Sequence, residues 1–415
     1  MIDPLNQALE QIAGLPGPPH MDVGETRLPV PVGANSMVAV PAGGLVTRAA
    51  NHLKTRLGRF KSGVGSQDGR RMHRFAVLPS CKSPRLLLPL GDPKITLRGL
   101  QIYAPYARAA RTAKRLLARA IQLGWQGLGC YDVSVISQRP LPLEDLVREV
   151  TGEERPAFAL LLGTPGLYRK MIIQVMRPQG EILGFLKLPL SQAAADNIRH
   201  EAEMLKRFSA YDCLRAHLPH VLYAGDWTNG YTLFLTGGPE RVGPIEFGPL
   251  HEKFLETLWS VHRVEKPGHA LVEDVVRHWG ESQPLLDAKW RELGEEALKR
   301  ASQNLAGGRV SCGASHGDFS PWNTRTDNGR LFVHDWEFAS WEAPIQWDRF
   351  QFHVQVSSLL GRANEWVAHL ERAPDERAIF LLYLLDSLSR SLKEGVSLEY
   401  KGVKFRRRLL AAALR

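Results

Sequence analysis

Apolar and polar residues alternate in two regions of the chain, and each region predicts a group of strands. In the first, the runs RFAVLPS at 74–80, PRLLLPL at 84–90 and CYDVSVIS at 130–137 are typical of strands. Between the second and third runs, residues 103–124 have helical periodicity, with Pro105 near the start and Gly124 at the end. The pattern predicts a small mixed α/β unit at residues 61–150.

The second region begins near Arg155 and is also rich in strands. Residues 158–190 predict three strands, 191–210 a helix, and 220–239 two further strands around the turn TNG. The pattern after that is mostly helical, apart from a loop and short strand at residues 315–340. We therefore expect an α+β protein with a β-rich lobe at residues 151–238 and an α-rich lobe at residues 239–415.

Composition adds two predictions, one for the structure of the N-terminal segment and one for the cellular compartment. Residues 1–60 are rich in Pro, Gly and small residues, which predicts a loosely ordered segment or a packed extension. The chain has 415 residues and 4 cysteines without paired spacing, which favours a reducing compartment. It has neither a secretion-signal pattern at its start nor an apolar run of about 18 residues. We expect a cytoplasmic protein, either free or peripheral to the membrane.

Charge is unevenly distributed. The net charge is +10, but residues 48–119 hold 17 Lys or Arg against Asp68 and Asp92, so that segment carries +15 and the remainder −5. The predicted helix carries a stripe of arginines opposite mostly apolar positions: Arg108, Arg111, Arg115 and Arg119 against Leu116, Leu117, Ala120 and Ile121. Such a helix fits an anionic membrane surface or a phosphorylated partner, and the alternative is a solvated face. No aromatic-interleaved motif for nucleic acid accompanies it.

Polar side chains that could act in catalysis or bind a metal are concentrated at residues 315–340, in the stretch SHGDFSPWNTRTDNGRLFVHDWEFAS. Asp318 and Asn323 are five residues apart, and Asp335 follows twelve residues later at the end of an apolar strand. Phosphoryl transfer needs a carboxylate to accept the proton of the attacking hydroxyl, and an amide oxygen with a second carboxylate to hold Mg²⁺. The set favours this chemistry, although each residue alone could simply cap a turn.

The residues HGDFSPWNT and VHDWE resemble the motifs of the aminoglycoside phosphotransferase family, which shares its fold with choline kinases and protein kinases. The resemblance covers roughly residues 155–415. It implies a two-lobed protein kinase-like fold, with ATP and Mg²⁺ as cofactors. It implies Asp318 as the catalytic base, Asn323 and Asp335 as magnesium ligands, and His316 as a structural residue. Asp348 resembles the aspartate that anchors the catalytic loop, and the alternative is a helix N-cap.

The resemblance also implies nucleotide-binding residues upstream. Lys187, in the apolar run GFLKLPL, matches the strand lysine that holds the phosphates. Its expected partner is Glu201 rather than Glu203, because Glu201 lies within the apolar stripe of the following helix. Gly163 and Gly166 in LGTPGLYRK predict either a loop over the phosphates or a plain hairpin turn.

Two departures from protein kinases favour a small-molecule acceptor. Gly317 stands where protein kinases usually have arginine, and only 13 residues separate Asp335 from Asp348. We expect an acceptor such as a sugar, a glycoconjugate precursor, an amino alcohol or an aminoglycoside-like compound.

Five residues close in sequence to the motif acids have two interpretations: Trp322, Trp336, Trp341, Glu337 and Glu342. They line an acceptor pocket, or the tryptophans belong to the core and the glutamates are solvated. The alternative function is an inactive kinase-like scaffold that binds a partner or an anionic membrane through its basic N-terminal unit. The presence of all four candidate residues for catalysis and for nucleotide and magnesium binding, Lys187, Asp318, Asn323 and Asp335, favours an enzyme over a scaffold.

Overall fold

The structure is a computed structural model that describes residues 4–12, 36–39, 71–80, 83–105, 107–124, 131–137, 139–228, 230–361 and 374–415. The chain divides into two compact units. The first contains residues 1–165, 169–199 and 221–237, and the second contains residues 166–168, 200–220 and 238–415. The first is rich in strands and the second in helices, which confirms the α+β class.

The first unit contains an antiparallel sheet of nine strands among the described residues, in the order β1-β4-β2-β3-β5-β6-β7-β9-β8. The strands are β1 (Ser36–Ala39), β2 (Arg71–Ser80), β3 (Ser83–Pro89), β4 (Tyr131–Ser137), β5 (Ala157–Leu162), β6 (Lys170–Met176), β7 (Ile182–Pro189), β8 (Val221–Trp227) and β9 (Gly230–Leu235). Its helices are α1 (Pro4–Ile12), α2 (Pro93–Gly99), α3 (Arg108–Gln122) and α4 (Pro142–Thr151), and α5 (Gln192–Ser209) begins in this unit and ends in the second.

Both faces of this sheet are buried near its centre, because the strands there are apolar at successive positions rather than only at alternate ones. In β5, Phe158 and Leu160 belong to one core, and Ala159 between them belongs to the other. Helices α1 and α4 contribute leucines to the first core, including Leu5 and Leu143. Helices α2 and α3 cover the opposite face through buried isoleucines.

The predicted boundary at residue 150 does not separate two units in the structure. Strand β3 pairs with β5 through the register Leu86–Leu161 and Leu87–Leu160, so the strands before and after residue 150 form one sheet. The strand patterns did not reveal this, because alternation reports burial and not the identity of the neighbouring strand. Within residues 1–60, helix α1 packs its apolar side into the core. Other residues of that segment, apart from β1, lie outside the described part of the chain.

The second unit contains most of the helices. They are α6 (Asp212–Arg215), α7 (Pro249–Val261), α8 (Gly268–Ser282), α9 (Ala288–Leu305), α10 (Trp347–Leu360), α11 (Pro374–Lys393) and α12 (Lys401–Ala413). Its strands are β10 (Arg263–Pro267), β11 (Arg309–Ser315), β12 (Thr324–Asp327), β13 (Arg330–Val333) and β14 (Ser340–Pro344). Large side chains of α8, α9, α10 and α11 fill one core, among them Trp279, Trp290, Phe350 and Tyr383.

Strand β11 lies between β10 and β14 in a short sheet, while β12 and β13 form a hairpin. The motif at residues 315–340 therefore begins at the end of β11, passes through the hairpin and ends at the start of β14. None of the helices in the described ranges combines the length and the apolarity that crossing a membrane requires.

Candidate active site

The loop that follows β11 is held by Asp348 in the first turn of α10. Its carboxylate accepts the backbone N–H of His316 at 2.8 Å and that of Gly317 at 2.9 Å. Burial raises the pKa of this carboxyl group. The N-cap of α10 is Gln346, so the side chain of Asp348 binds the loop rather than capping its own helix. Asp348 therefore holds the two backbone N–H groups at the start of this loop.

His316 joins the same loop to the segment before Asp335. Its Nδ1 accepts the backbone N–H of Asp318 at 3.2 Å, so the ring proton lies on Nε2 and is donated to the carbonyl of His334 at 3.0 Å. The ring is buried and meets Trp336 edge to face at 4.7 Å. These contacts join the loop after β11 to the segment that precedes Asp335.

Gly317 is required by its backbone and by its surroundings. It has φ of +75°, in the left-handed region that side chains with a Cβ atom disfavour. An added Cβ would lie 2.8 Å from the carbonyl carbon of Phe338 and would overlap its oxygen. The carbonyl of Gly317 also accepts a bond from Arg390 at 2.9 Å. The loop therefore cannot move away without breaking bonds on both sides.

We expect Gly317→Ala to destabilise the protein by more than the ~1–2 kcal/mol that left-handed backbone costs a residue with a Cβ. Gly329→Ala is the matched control, because Gly329 has φ of +72° but no atom within 4 Å of an added Cβ. Denaturant unfolding of the two variants measures the difference. Equal losses of stability would show that the overlap with Phe338 is relieved without cost.

Asp318 is oriented by two amide side chains. Asn323 donates to its Oδ2 at 2.9 Å, and Gln351 of α10 donates to its Oδ1 at 2.6 Å. Burial raises the pKa of Asp318, and the charge of Asp335 acts in the same direction. Since each carboxylate oxygen accepts two hydrogen bonds or more, both retain a lone pair for a further proton.

The amide of Gln351 is itself oriented by Tyr383. Burial raises the pKa of the Tyr383 phenol to about 12, so the hydroxyl is protonated and donates to Oε1 of Gln351 at 2.6 Å. Nε2 of Gln351 is therefore directed to Asp318. The sequence analysis did not identify Gln351 or Tyr383. They lie in α10 and α11, far from Asp318 along the chain, and neither belongs to a local motif.

Asn323 has an orientation that suits a cation ligand. Its Nδ2 donates to the backbone carbonyl and to the carboxylate of Asp318, both at 2.9 Å. With the amide hydrogens used in this way, Oδ1 is the atom left to bind a cation. The hairpin brings the second candidate ligand close, because the N–H of His334 donates to the carbonyl of Asn323 at 3.0 Å. Asp335 follows with φ of +71°, a conformation that aspartate tolerates better than most residues.

Glu201 also lies in this unit. It is buried in α5 while Glu203 is exposed, in agreement with the helical periodicity. Its Oε1 accepts the backbone N–H of Trp336 at 3.1 Å, directly after Asp335. The structure therefore groups His316, Asp318, Asn323, Asp335, Asp348 and Glu201 within the second unit.

Lys187 and Gly163 belong to the first unit. Lys187 is buried on β7, level with Ile172 of β6 and Leu233 of β9. Gly163 begins the turn between β5 and β6, where its N–H donates to the carbonyl of Lys170 at 2.8 Å. A Cβ at Gly163 would lie 2.8 Å from that carbonyl oxygen, so the close approach requires glycine. Gly166, from the same turn, is assigned to the second unit.

Arg85 is a further residue at this turn that sequence reasoning missed. It lies on β3 and donates to the carbonyl of Gly163 at 3.1 Å and to the hydroxyl of Thr164 at 3.2 Å. Arg169 donates to the same carbonyl at 3.3 Å. Strand β3 thus helps to hold the turn that joins β5 and β6. The pairing of β3 with β5 brings Arg85 close to this turn.

A cavity of about 480 Å³ in the second unit is lined by neighbours of Asp318 but not by Asp318 itself. Its lining includes Gly317, Phe338, Trp347, Gln351 and Arg390, so two residues that touch Asp318 or its loop form part of the wall. The volume is within the range of small-molecule sites.

Four acids line this cavity, and they differ in their partners. Asp274 contacts Arg277 at 2.8 Å, and Asp348 accepts backbone N–H groups. Asp386 contacts His278 at 2.9 Å and Arg390 at 3.5 Å. Glu342 contacts Lys266 at 2.6 Å and His262 at 3.1 Å. The bond from Lys266 lowers the pKa of Glu342. The cavity is therefore polar, and three of its four carboxylates already contact a basic side chain.

The tryptophans near the motif mostly belong to packing. Trp336 is fully buried and donates its ring N–H to the carbonyl of Val333. Trp341 stacks on His262 at 4.7 Å and lies under the guanidinium of Arg207. Of the five residues considered for an acceptor pocket, Glu342 lines the cavity. Aromatic residues near a motif do not identify a pocket, since the same composition serves a core.

No protein-family model matches the chain, and no curated protein matches it significantly. Solved structures of aminoglycoside phosphotransferases are similar to part of it. Aminoglycoside phosphotransferase APH(4)-Ia is 18% identical with a TM-score of 0.47, over 66% of this chain and 98% of that one. A thermostable mutant of that protein in ternary complex with ADP and hygromycin B is 17% identical with a TM-score of 0.45, over 66% and 98%. The GDP complex of aminoglycoside 2'-phosphotransferase-IIIa is 16% identical with a TM-score of 0.43, over 65% and 96%.

Proposed function

We propose that this chain is a small-molecule kinase that transfers the terminal phosphoryl group of ATP to a hydroxyl group. The observation that carries the proposal is the fixed orientation of Asp318 next to Gln351, a residue that lines a cavity. Asn323 and Gln351 hold its two carboxylate oxygens, and Gln351 also lines the cavity. A carboxylate held in this way can align a hydroxyl and accept its proton.

In the proposed reaction, the hydroxyl oxygen of the acceptor bonds to the terminal phosphorus of ATP. The bond between that phosphorus and the bridging oxygen breaks, and ADP leaves with the bond's electron pair. The hydroxyl proton passes to Asp318 late in the reaction. Because such transfers depend mainly on positioning and charge stabilisation, the network from Tyr383 through Gln351 to Asp318 is a positioning device.

Asn323 and Asp335 would hold Mg²⁺, which when bound offsets the negative charge of the phosphates. The orientation of Asn323, with its amide hydrogens on Asp318, supports this assignment. Lys187, Gly163 and Gly166 are proposed to bind the nucleotide. Glu201 is proposed as the partner of Lys187, and as the residue that fixes the backbone next to Asp335.

We propose a neutral polyhydroxy compound, such as a sugar or a glycoconjugate precursor, as the acceptor. A polycationic acceptor would need carboxylates with few competing cations, because each of its ammonium groups loses solvation on binding. Of the cavity acids, Asp386 and Glu342 already have two basic partners each, and Asp274 has Arg277. Hydroxyl groups make neutral hydrogen bonds and do not require those pairs to break.

The test is a transfer assay with ATP, Mg²⁺ and a panel of sugars, glycoconjugate precursors, amino alcohols and aminoglycosides, with detection by mass. We expect a gain of one phosphoryl group on a neutral polyhydroxy compound, dependent on Mg²⁺. Transfer only to aminoglycosides or amino alcohols would overturn the acceptor class. An absence of transfer together with an absence of Mg²⁺-dependent nucleotide binding would overturn the enzyme and favour the scaffold.

A further inference from the structure

Helix α3 presents an unusual combination of side chains to solvent. Leu116 is 60% exposed and Leu123, which follows the last helical residue, is 87% exposed. They are the two most exposed large apolar side chains in the described part of the chain. The sequence pattern grouped Leu116 with Leu117 and Ile121, and the structure separates them, because Leu116 is exposed while Ile121 is buried. Two leucines exposed on the same side of one helix form an apolar surface that is available to a partner.

The same side of the helix is strongly basic. Leu116, Arg119 and Leu123 are spaced by three and four residues, so they form one stripe along the helix. Arg108 and Arg115 lie seven residues apart beside this stripe, and both are exposed. We call these five residues the outer face of α3. None of its arginines forms an ion pair with a carboxylate among the residues that the structure describes.

The inner side of the helix packs against the fold. Ile121 is buried in the core that covers one face of the sheet, and Leu117 packs against that core. The helix is therefore held in place by one side while the outer face remains accessible. A rigid support is what allows a short amphipathic helix to present its other side to a flat partner.

We propose that the outer face of α3 binds the surface of an anionic lipid bilayer. Leucines inserted below the headgroups and arginines among lipid phosphates are the arrangement expected of an interfacial helix. The surrounding sequence is also suitable, since residues 48–119 carry +15 while the rest of the chain carries −5. A nucleic acid would match the charge, but it would leave Leu116 and Leu123 without an apolar environment.

The experiment is co-sedimentation of the full chain with two kinds of vesicle. One is phosphatidylcholine alone, and the other contains about one third of the anionic lipid phosphatidylglycerol. We expect binding only to the anionic vesicles, and a decrease as salt shortens the screening length to about 3 Å at 1 M. Equal binding to both vesicle types, or none to either, would overturn the proposal.

Variants separate the contributions of charge and insertion. A triple change of Arg108, Arg115 and Arg119 to serine should weaken vesicle binding on the order of 100-fold. Each basic residue near an anionic surface raises the affinity for that surface about fivefold. The matched control changes Lys289, Arg291 and Lys299 of α9 to serine. These side chains are also exposed, and this control should bind to within a few-fold of the parent.

The double variant Leu116→Ser and Leu123→Ser keeps all charges and tests insertion. We expect binding to anionic vesicles to fall by about tenfold or more, because the apolar area that enters the bilayer is removed. Thermal unfolding should be unchanged, as both side chains are exposed. An unaltered vesicle affinity for this variant, together with tight binding of the parent to duplex DNA in fluorescence anisotropy, would assign the surface to nucleic acid instead.

Discussion

Replacement of Asp318 by asparagine is expected to lower turnover by roughly 10² to 10⁴-fold, the usual contribution of a positioned acid or base. Asparagine keeps the size of the side chain but cannot accept the hydroxyl proton. Nucleotide affinity should be nearly unchanged, because Lys187, Asn323 and Asp335 remain. Calorimetry with nucleotide and a transfer assay with the accepted compound measure the two quantities separately.

The control for this variant is Glu292→Gln, which removes one carboxylate charge from an exposed position of α9. It should retain full turnover. An Asp318→Asn protein with near-normal turnover would remove Asp318 from the mechanism. A loss of nucleotide affinity in place of turnover would instead place Asp318 on the metal and move the proton acceptor elsewhere.

Replacement of Asp335 by alanine is expected to abolish the Mg²⁺-dependent part of nucleotide binding. We expect a loss above the 10- to 100-fold that is typical of residues which only support a metal ligand. Asp335→Asn is the sharper variant, because asparagine also tolerates the left-handed backbone at this position. Titration with nucleotide in the presence and absence of Mg²⁺ provides the measurement.

Asp327→Asn is the control for Asp335, since Asp327 is an exposed acid at the other end of the same hairpin. Its Mg²⁺-dependent affinity should equal that of the parent. An Asp335 variant with unchanged affinity for the magnesium complex would refute the metal role. A variant that fails to fold would be recognised by circular dichroism, and Asp335→Asn then keeps the test open.

The local parts of the candidate site could be read from the sequence. The spacing of His316, Asp318 and Asn323 is short enough for the loop's own backbone to bring them together, and the structure shows them bonded to one another. The apolar strand predicted before Asp335 is also present, as the second strand of the hairpin that returns the chain to Asn323. Residues within one turn or hairpin have few alternative arrangements, so sequence spacing determines their geometry.

The sequence also determined the α+β class and the amphipathic helices, because periodicities of 2 and 3.6 residues report which side of an element is buried. It did not determine what lies against that side. The pairing of β3 with β5, the contact of Arg85 with Gly163 and the bonds of Gln351 and Tyr383 at Asp318 all join residues distant along the chain. The exposure of Leu116 was likewise decided only by how α3 lies on the sheet. Such contacts depend on which surfaces pack together. The pattern of apolar residues along the chain shows that a surface is buried but does not identify the surface that covers it.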